Sequence, residues 1–201
     1  MNKLKSAFFF LLAVISACSS PEFVSPKELT SFILEPENGL VKKKEVNGHN
    51  IEVLFRPTDL LIYQEAKNQL LDEDHYRSLR RKYDPNVYFI LKIQKGDREA
   101  LRFQNHPYQY GALVQKLSFG MTDFVNLTTS SDTIPVMAFS IDRTYDLGNS
   151  TKLIFVFDRK KVENHEWVQF NLSEFGLGLG YQHFRFKVDD LKRLPSIEFP
   201  I

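Results

Sequence analysis

The chain has 201 residues, with 26 Lys and Arg against 25 Asp and Glu, and a single cysteine. The near-neutral charge leaves no global field for nucleic acid or an anionic surface. One thiol excludes a disulfide within the chain, and the length suits one domain able to bury about 70% of its unfolded surface.

The first element is an export signal. Lys3 and Lys5 make a positive start, and Ala7 to Ile15 is a continuous apolar run of nine residues. That length fits a signal-peptide core and falls short of the roughly 20 residues a spanning helix needs. The run ends in Ile15-Ser16-Ala17-Cys18, an aliphatic residue, two small residues and a thiol. This resembles the lipobox of bacterial lipoproteins. The resemblance implies that Cys18 takes a diacylglycerol thioether, that cleavage falls just before it, and that the new amine is acylated with a fatty acid such as palmitate.

On that reading residues 1–17 are a signal peptide, 18–27 a lipidated N-terminus and tether, and 28–201 a single α+β globular domain. Without Lys3 and Lys5, 24 basic residues face 25 acidic ones, still near neutral. No later stretch is apolar enough to span a bilayer, so the lipid is the expected anchor, two or more acyl chains being needed for stable attachment. Ser19 after the cysteine, where Asp would imply inner-membrane retention in such lipoproteins, implies the outer membrane with the domain facing the periplasm. The Phe-, Lys- and Asn-rich chain also resembles lipoproteins of the Bacteroidota, which implies no function.

Two prolines and three serines in residues 19–27 argue against a helix. Glu28 to Glu35 reads as a strand. Asn38-Gly39 and Asn47-Gly48 are turn signals, and the second joins Leu40–Val46 to the alternating run Asn50–Arg56 in a hairpin. Thr58 or Asp59 caps a helix running toward Leu70. A second helix from about Asp72 carries Tyr76, Leu79 and Tyr83 on one face and ends at Asp84-Pro85. Val87–Gln94 is apolar enough for a central strand, and Asp97 caps a short turn. Tyr110, Leu113, Val114 and Leu117 follow helical spacing. From Phe119 onward the chain reads as strands at Met121–Leu127, Ile134–Arg143, Lys152–Asp158, Trp167–Leu172 and Gln182–Val188. Connections this short cannot join parallel neighbours. The expected fold is α+β, a largely antiparallel meander or sandwich with about three helices between residues 58 and 118.

The motifs carry little chemistry. Gly176-Leu177-Gly178-Leu179-Gly180 could cradle a phosphate only if it opened a helix. A strand follows it instead, so a bulge or close backbone approach is expected. His49, His75, His106, His165 and His183 lack metal-ligand spacing, and no serine sits in a nucleophile motif. Asp123, Asp132, Asp142, Asp146 and Asp158 could pair in space for glycoside hydrolysis, but their neighbours are turn-like. Lys42-Lys43-Lys44 suits an edge strand kept from aggregating. Arg77, Arg80, Arg81 and Lys82 suit either lipid headgroups or a solvated face paired with Asp72, Glu73 and Asp74. Asp132-Thr133-Ile134 resembles a Bacteroidota O-glycosylation acceptor, which would place sugar on Thr133.

No catalytic, cofactor or metal residue is assigned, and Cys18 is the expected lipidation site. The leading expectation is a non-catalytic envelope lipoprotein, held to the membrane by its lipid, that binds or scaffolds a protein partner. A hydrolase of envelope polysaccharide or lipid and a carrier of an apolar ligand remain open alternatives.

Overall fold

Asn47 and Gly48 both take positive φ, 50° and 73°, which matches a type I′ turn and the twist of the strands it joins. It links β2 (Val41–Val46) to β3 (His49–Arg56), with Val46 opposite His49. The computed structural model describes residues 23–67, 71–96, 98–99, 107–142 and 150–200. The expected hairpin is therefore present, and it starts an antiparallel sheet in the order β2-β3-β4-β9-β8. Here β4 is Asn86–Lys95, β8 is Ala138–Asp142 and β9 is Thr151–Asp158, while β5 (Arg98–Glu99) pairs with the end of β4. A second antiparallel sheet runs β11-β10-β6-β7, built from Gln182–Lys187, Trp167–Leu172, Val125–Thr128 and Thr133–Pro135.

The two sheets pack face to face because alternate residues on each are apolar. Phe89 on β4 lies 6.0 Å from Phe170 on β10 and 5.1 Å from Phe186 on β11, ring centre to ring centre. Phe155 on β9 meets Phe170 at 5.6 Å and nearly edge-on, at 71°. These rings are fully or almost fully buried, and such tilted pairs add about 0.5–1.5 kcal/mol each beyond area burial. The fold is thus α+β with mostly antiparallel sheets. Helices α2 (Thr58–Ala66), α3 (Glu73–Tyr83) and α4 (Pro107–Gln115) fall within the expected stretch.

Several expectations are corrected. Residues 28–35 are not a strand: α1 is a helix over Pro26–Leu34. Ser25 accepts from the Glu28 N–H, and the Glu28 carboxylate accepts from the Ser25 N–H. This capping box, with Pro26 at the first helical position, overrides the apolar run. The tether reading also fails at its end, since β1 (Phe23–Val24) pairs in parallel with β12 (Ser196–Ile197). Met121–Asp123 is a 3₁₀ turn preceding β6, itself preceded by a π-helical turn over Lys116–Gly120. Ile134–Arg143 is not one strand: β7 and β8 belong to different sheets, the chain crossing over at Val136-Met137 just after Pro135. Val188 begins a short helix, α5 (Val188–Lys192). The Asp97 turn lies outside the described residues.

Candidate functional site

Strand register builds an open groove on the face of the larger sheet that points away from the sandwich core. Leu54 on β3, Ile90 on β4, Ile154 on β9 and Ser140 on β8 pair residue to residue, so they form one row on one face. The next row, two residues along, is Glu52, Lys92 and Lys152, with Asp142 at the following register position on β8 and Lys43 before it on β2. Helix α1 walls the groove with Ile33 and Leu34, and α2 adds Leu61 and Gln64. The volume is about 460 Å³, and an adjoining polar bay of about 510 Å³ shares Lys92 and Lys152 with it. Both volumes lie within the range of small-molecule sites.

The electrostatics of the groove are one-sided. Among the described residues its lining holds three cations, Arg56, Lys92 and Lys152, and no carboxylate. Glu52 stands at the margin, bonded to Lys92 and 3.2 Å from Lys43. Burial pushes the Glu52 carboxyl up, but the two lysines outweigh it and hold the group below the usual range. Lys92 and Lys152 face each other directly on neighbouring strands, and Glu52, paired with Lys92, offsets part of the like-charge repulsion. Arg56 donates to the Gln64 side-chain oxygen at 3.3 Å, and its partial burial pushes the guanidinium down from the ordinary arginine value. Such a lining can hold an elongated apolar group and answer a negative charge.

The glycine loop is an anion cradle filled from within. Gly176, Gly178 and Gly180 have φ of 119°, 70° and 62°, which turns their N–H groups inward. The Glu174 carboxylate accepts from all three, at 2.6, 2.9 and 2.7 Å. Burial raises its pKa, but the amides of Gly176, Gly178, Gly180 and Leu177 outweigh that and hold the carboxyl low. Leu177 and Leu179 are buried between the glycines. The loop leads into β11 and not into a helix, as its sequence context implies. Asn47 and Lys116 clamp it from outside by donating to the Gly178 and Phe175 carbonyls, at 2.7 and 3.0 Å.

The remaining candidates are scattered. His49 is buried, with Nδ1 lacking a hydrogen-bond partner among the described residues, and burial and Lys95 push its pKa down. His75 lies in the first turn of α3, and His183 is exposed beside Tyr181. No group of three His, Cys, Asp or Glu converges as a metal site among the described residues. Asp132 and Asp158 bond nearby backbone N–H groups, those of Thr133 and Lys160, and Asp123 is exposed in the 3₁₀ turn. Asp146, His106 and the side chain of Asp142 lie outside the described residues, as does Cys18. Thr133 is exposed at the start of β7.

The basic clusters divide. β2 is an edge strand, as expected for three lysines. Lys42 and Lys44 extend over the Phe186 and Phe184 rings of the other sheet, both rings being buried. On α3, Arg77 pairs with Glu73 as helical spacing predicts. Arg80 does not belong to a solvated face: it turns inward to Asp59 at 2.7 Å and to the Tyr76 hydroxyl at 2.9 Å. Lys82 pairs with Glu65 of α2, so two of the four cations tie helices together.

The groove was missed by sequence reasoning because its residues come from four separated strands. The one local sign was the alternation of Leu54 with Glu52 and Arg56 on the face opposite Ile51, Val53 and Phe55. No protein family, no curated protein and no solved structure matches this chain.

Proposed function

We propose that this is a non-catalytic binding protein of the bacterial envelope, lipid-anchored through Cys18, that works by holding another molecule in the groove across β3, β4, β9 and β8. The observation that carries this reading is the lining of the groove: an aliphatic floor and walls, three cations and no carboxylate among the described residues. General acid catalysis by a carboxyl calls for a raised pKa. Each described carboxyl with a shifted pKa is instead held low, by Ser25 at Glu28, by Lys82 at Glu65, and by the contacts above at Glu52 and Glu174.

A second reading, docking of a protein partner, draws on Tyr108, Tyr110 and Phe119, which stand exposed along α4 and the π-helical turn after it. Exposed aromatic residues are enriched where partner proteins bind.

The experiment is complementation of a deletion strain by the full chain carrying alanine at each acid and histidine in turn. Contact predicts that every variant that folds and reaches the membrane restores the strain. A single folded variant that abolishes function while membrane attachment persists argues for catalysis and against this reading.

A further inference from the structure

We propose that the groove binds a long-chain carboxylate, its acyl chain lying across the sheet along Leu54, Ile90 and Ile154 and its head against Lys152. This assignment names the occupant of the groove and rests on the reading of that groove as the binding site. Four strands at their usual spacing span roughly 15 Å, so the row Leu54-Ile90-Ile154-Ser140 forms a trough of that length. Its floor and walls are aliphatic, which suits a flexible hydrocarbon chain.

An extended peptide fits less well. The inner floor strands β3, β4 and β9 spend their N–H and C=O groups on neighbouring strands, so the face of the groove has none to offer a second backbone there. A peptide laid there would leave its amides unsatisfied, a cost that an acyl chain does not incur. A neutral lipid fits less well also, because it would bring an apolar group against Lys152 and offer it no anion, the facing Lys92 being paired with Glu52.

The head is held by charge. Lys92 is already paired with Glu52, and Arg56 already bonds Gln64, which leaves Lys152 as the station for the head.

The test uses the full lipidated chain in nanodiscs of neutral phosphatidylcholine, with photoreactive, clickable probes: a C16 fatty acid, its methyl ester, a lysophosphatidylglycerol and an acidic, apolar peptide. Cross-linked peptides are mapped by mass spectrometry. The expected result is saturable labelling by the acid at Leu61, Ile90 or Ile154, competed by unlabelled palmitate about tenfold more effectively than by its methyl ester, a difference of about 1.4 kcal/mol. Lys152→Gln should weaken acid labelling about tenfold and leave ester labelling unchanged, and the ester arm reports that the groove is still folded.

Equal labelling by acid and ester, preference for the phosphate head, preference for the peptide, or labelling confined to other faces each overturns the assignment. A larger loss from Arg56→Gln than from Lys152→Gln overturns the placement of the head. The two levels separate cleanly. If the acid labels the groove but a variant that fills the groove still restores the deletion strain, this assignment stands and the proposed function fails. If nothing labels the groove while filling it abolishes complementation, the proposed function stands and this assignment fails.

Discussion

Replacing Glu174 by Gln should cost stability at neutral pH and much less in acid. The carboxylate accepts three backbone N–H groups at 2.6 to 2.9 Å and holds Gly176, Gly178 and Gly180 in their left-handed conformations. Hydrogen bonds to a charged acceptor contribute about 1.5–3 kcal/mol each when sheltered. Glu174 is exposed, so water competes, and screening reduces the sum to about 1–2 kcal/mol. For a domain of this size that lowers Tm by about 3–6 °C.

The pH dependence has a definite sign. Folding depresses the Glu174 pKa, so its contribution is fully present above the unfolded glutamate value of about 4.3. It is lost as pH falls through the lower folded value. Calorimetry of the wild type and Glu174→Gln at pH 7 and about pH 3 should show a clear gap at the first pH and a much smaller one at the second. Equal melting at pH 7, or a gap of the same size in acid, would refute the cradle as a charged device.

Three further outcomes follow from other parts of the molecule. Phe170→Ala removes the ring that meets Phe89, Phe155 and Phe157 between the sheets and should cost about 3–5 kcal/mol, measured as a drop in urea midpoint with near-constant m-value. Arg80→Ala leaves Asp59 and Tyr76 without their cation. It should cost about 2 kcal/mol, less than a fully buried pair because the side chain is partly exposed, and hydrogen exchange should rise first at the junction of α2 and α3. Cys18→Ala should abolish incorporation of labelled palmitate and leave the signal uncleaved; detergent partitioning like that of the wild type would contradict the anchor.

Local signals carried much of the fold. Asn47-Gly48 announces its hairpin because two consecutive positive φ angles need those residue types. Val87–Gln94 reads as central, and β4, which contains it, does lie between β3 and β9. The α1 helix was hidden by the run Phe32-Ile33-Leu34, although Ser25-Pro26 with Glu28 is a helix start legible in hindsight. The split of β7 from β8 has only Pro135 as a local sign, since which sheet a segment joins is decided by distant partners. The context of the glycine loop excludes a helix behind it, but no local pattern marks Glu174 as its internal anion.

The groove was least legible of all. Leu54, Ile90 and Ile154 are ordinary alternating strand residues until cross-strand register sets them side by side, and Lys92 opposes Lys152 only through a pairing that spans some 60 positions. Sequence patterning fixes which face a residue takes within its strand. It does not fix which strands stand together.

The most direct test of the binding reading is to fill the groove and ask whether the protein still works. Ile90 lies in the floor and is half-exposed, so Ile90→Trp adds bulk into open space and not into the core. With membrane attachment and thermal melting confirmed as near wild type, the full chain carrying Ile90→Trp should fail to complement the deletion strain, while Ile90→Val should complement it fully. Full complementation by the folded Ile90→Trp protein would contradict the claim that the groove is where this protein acts.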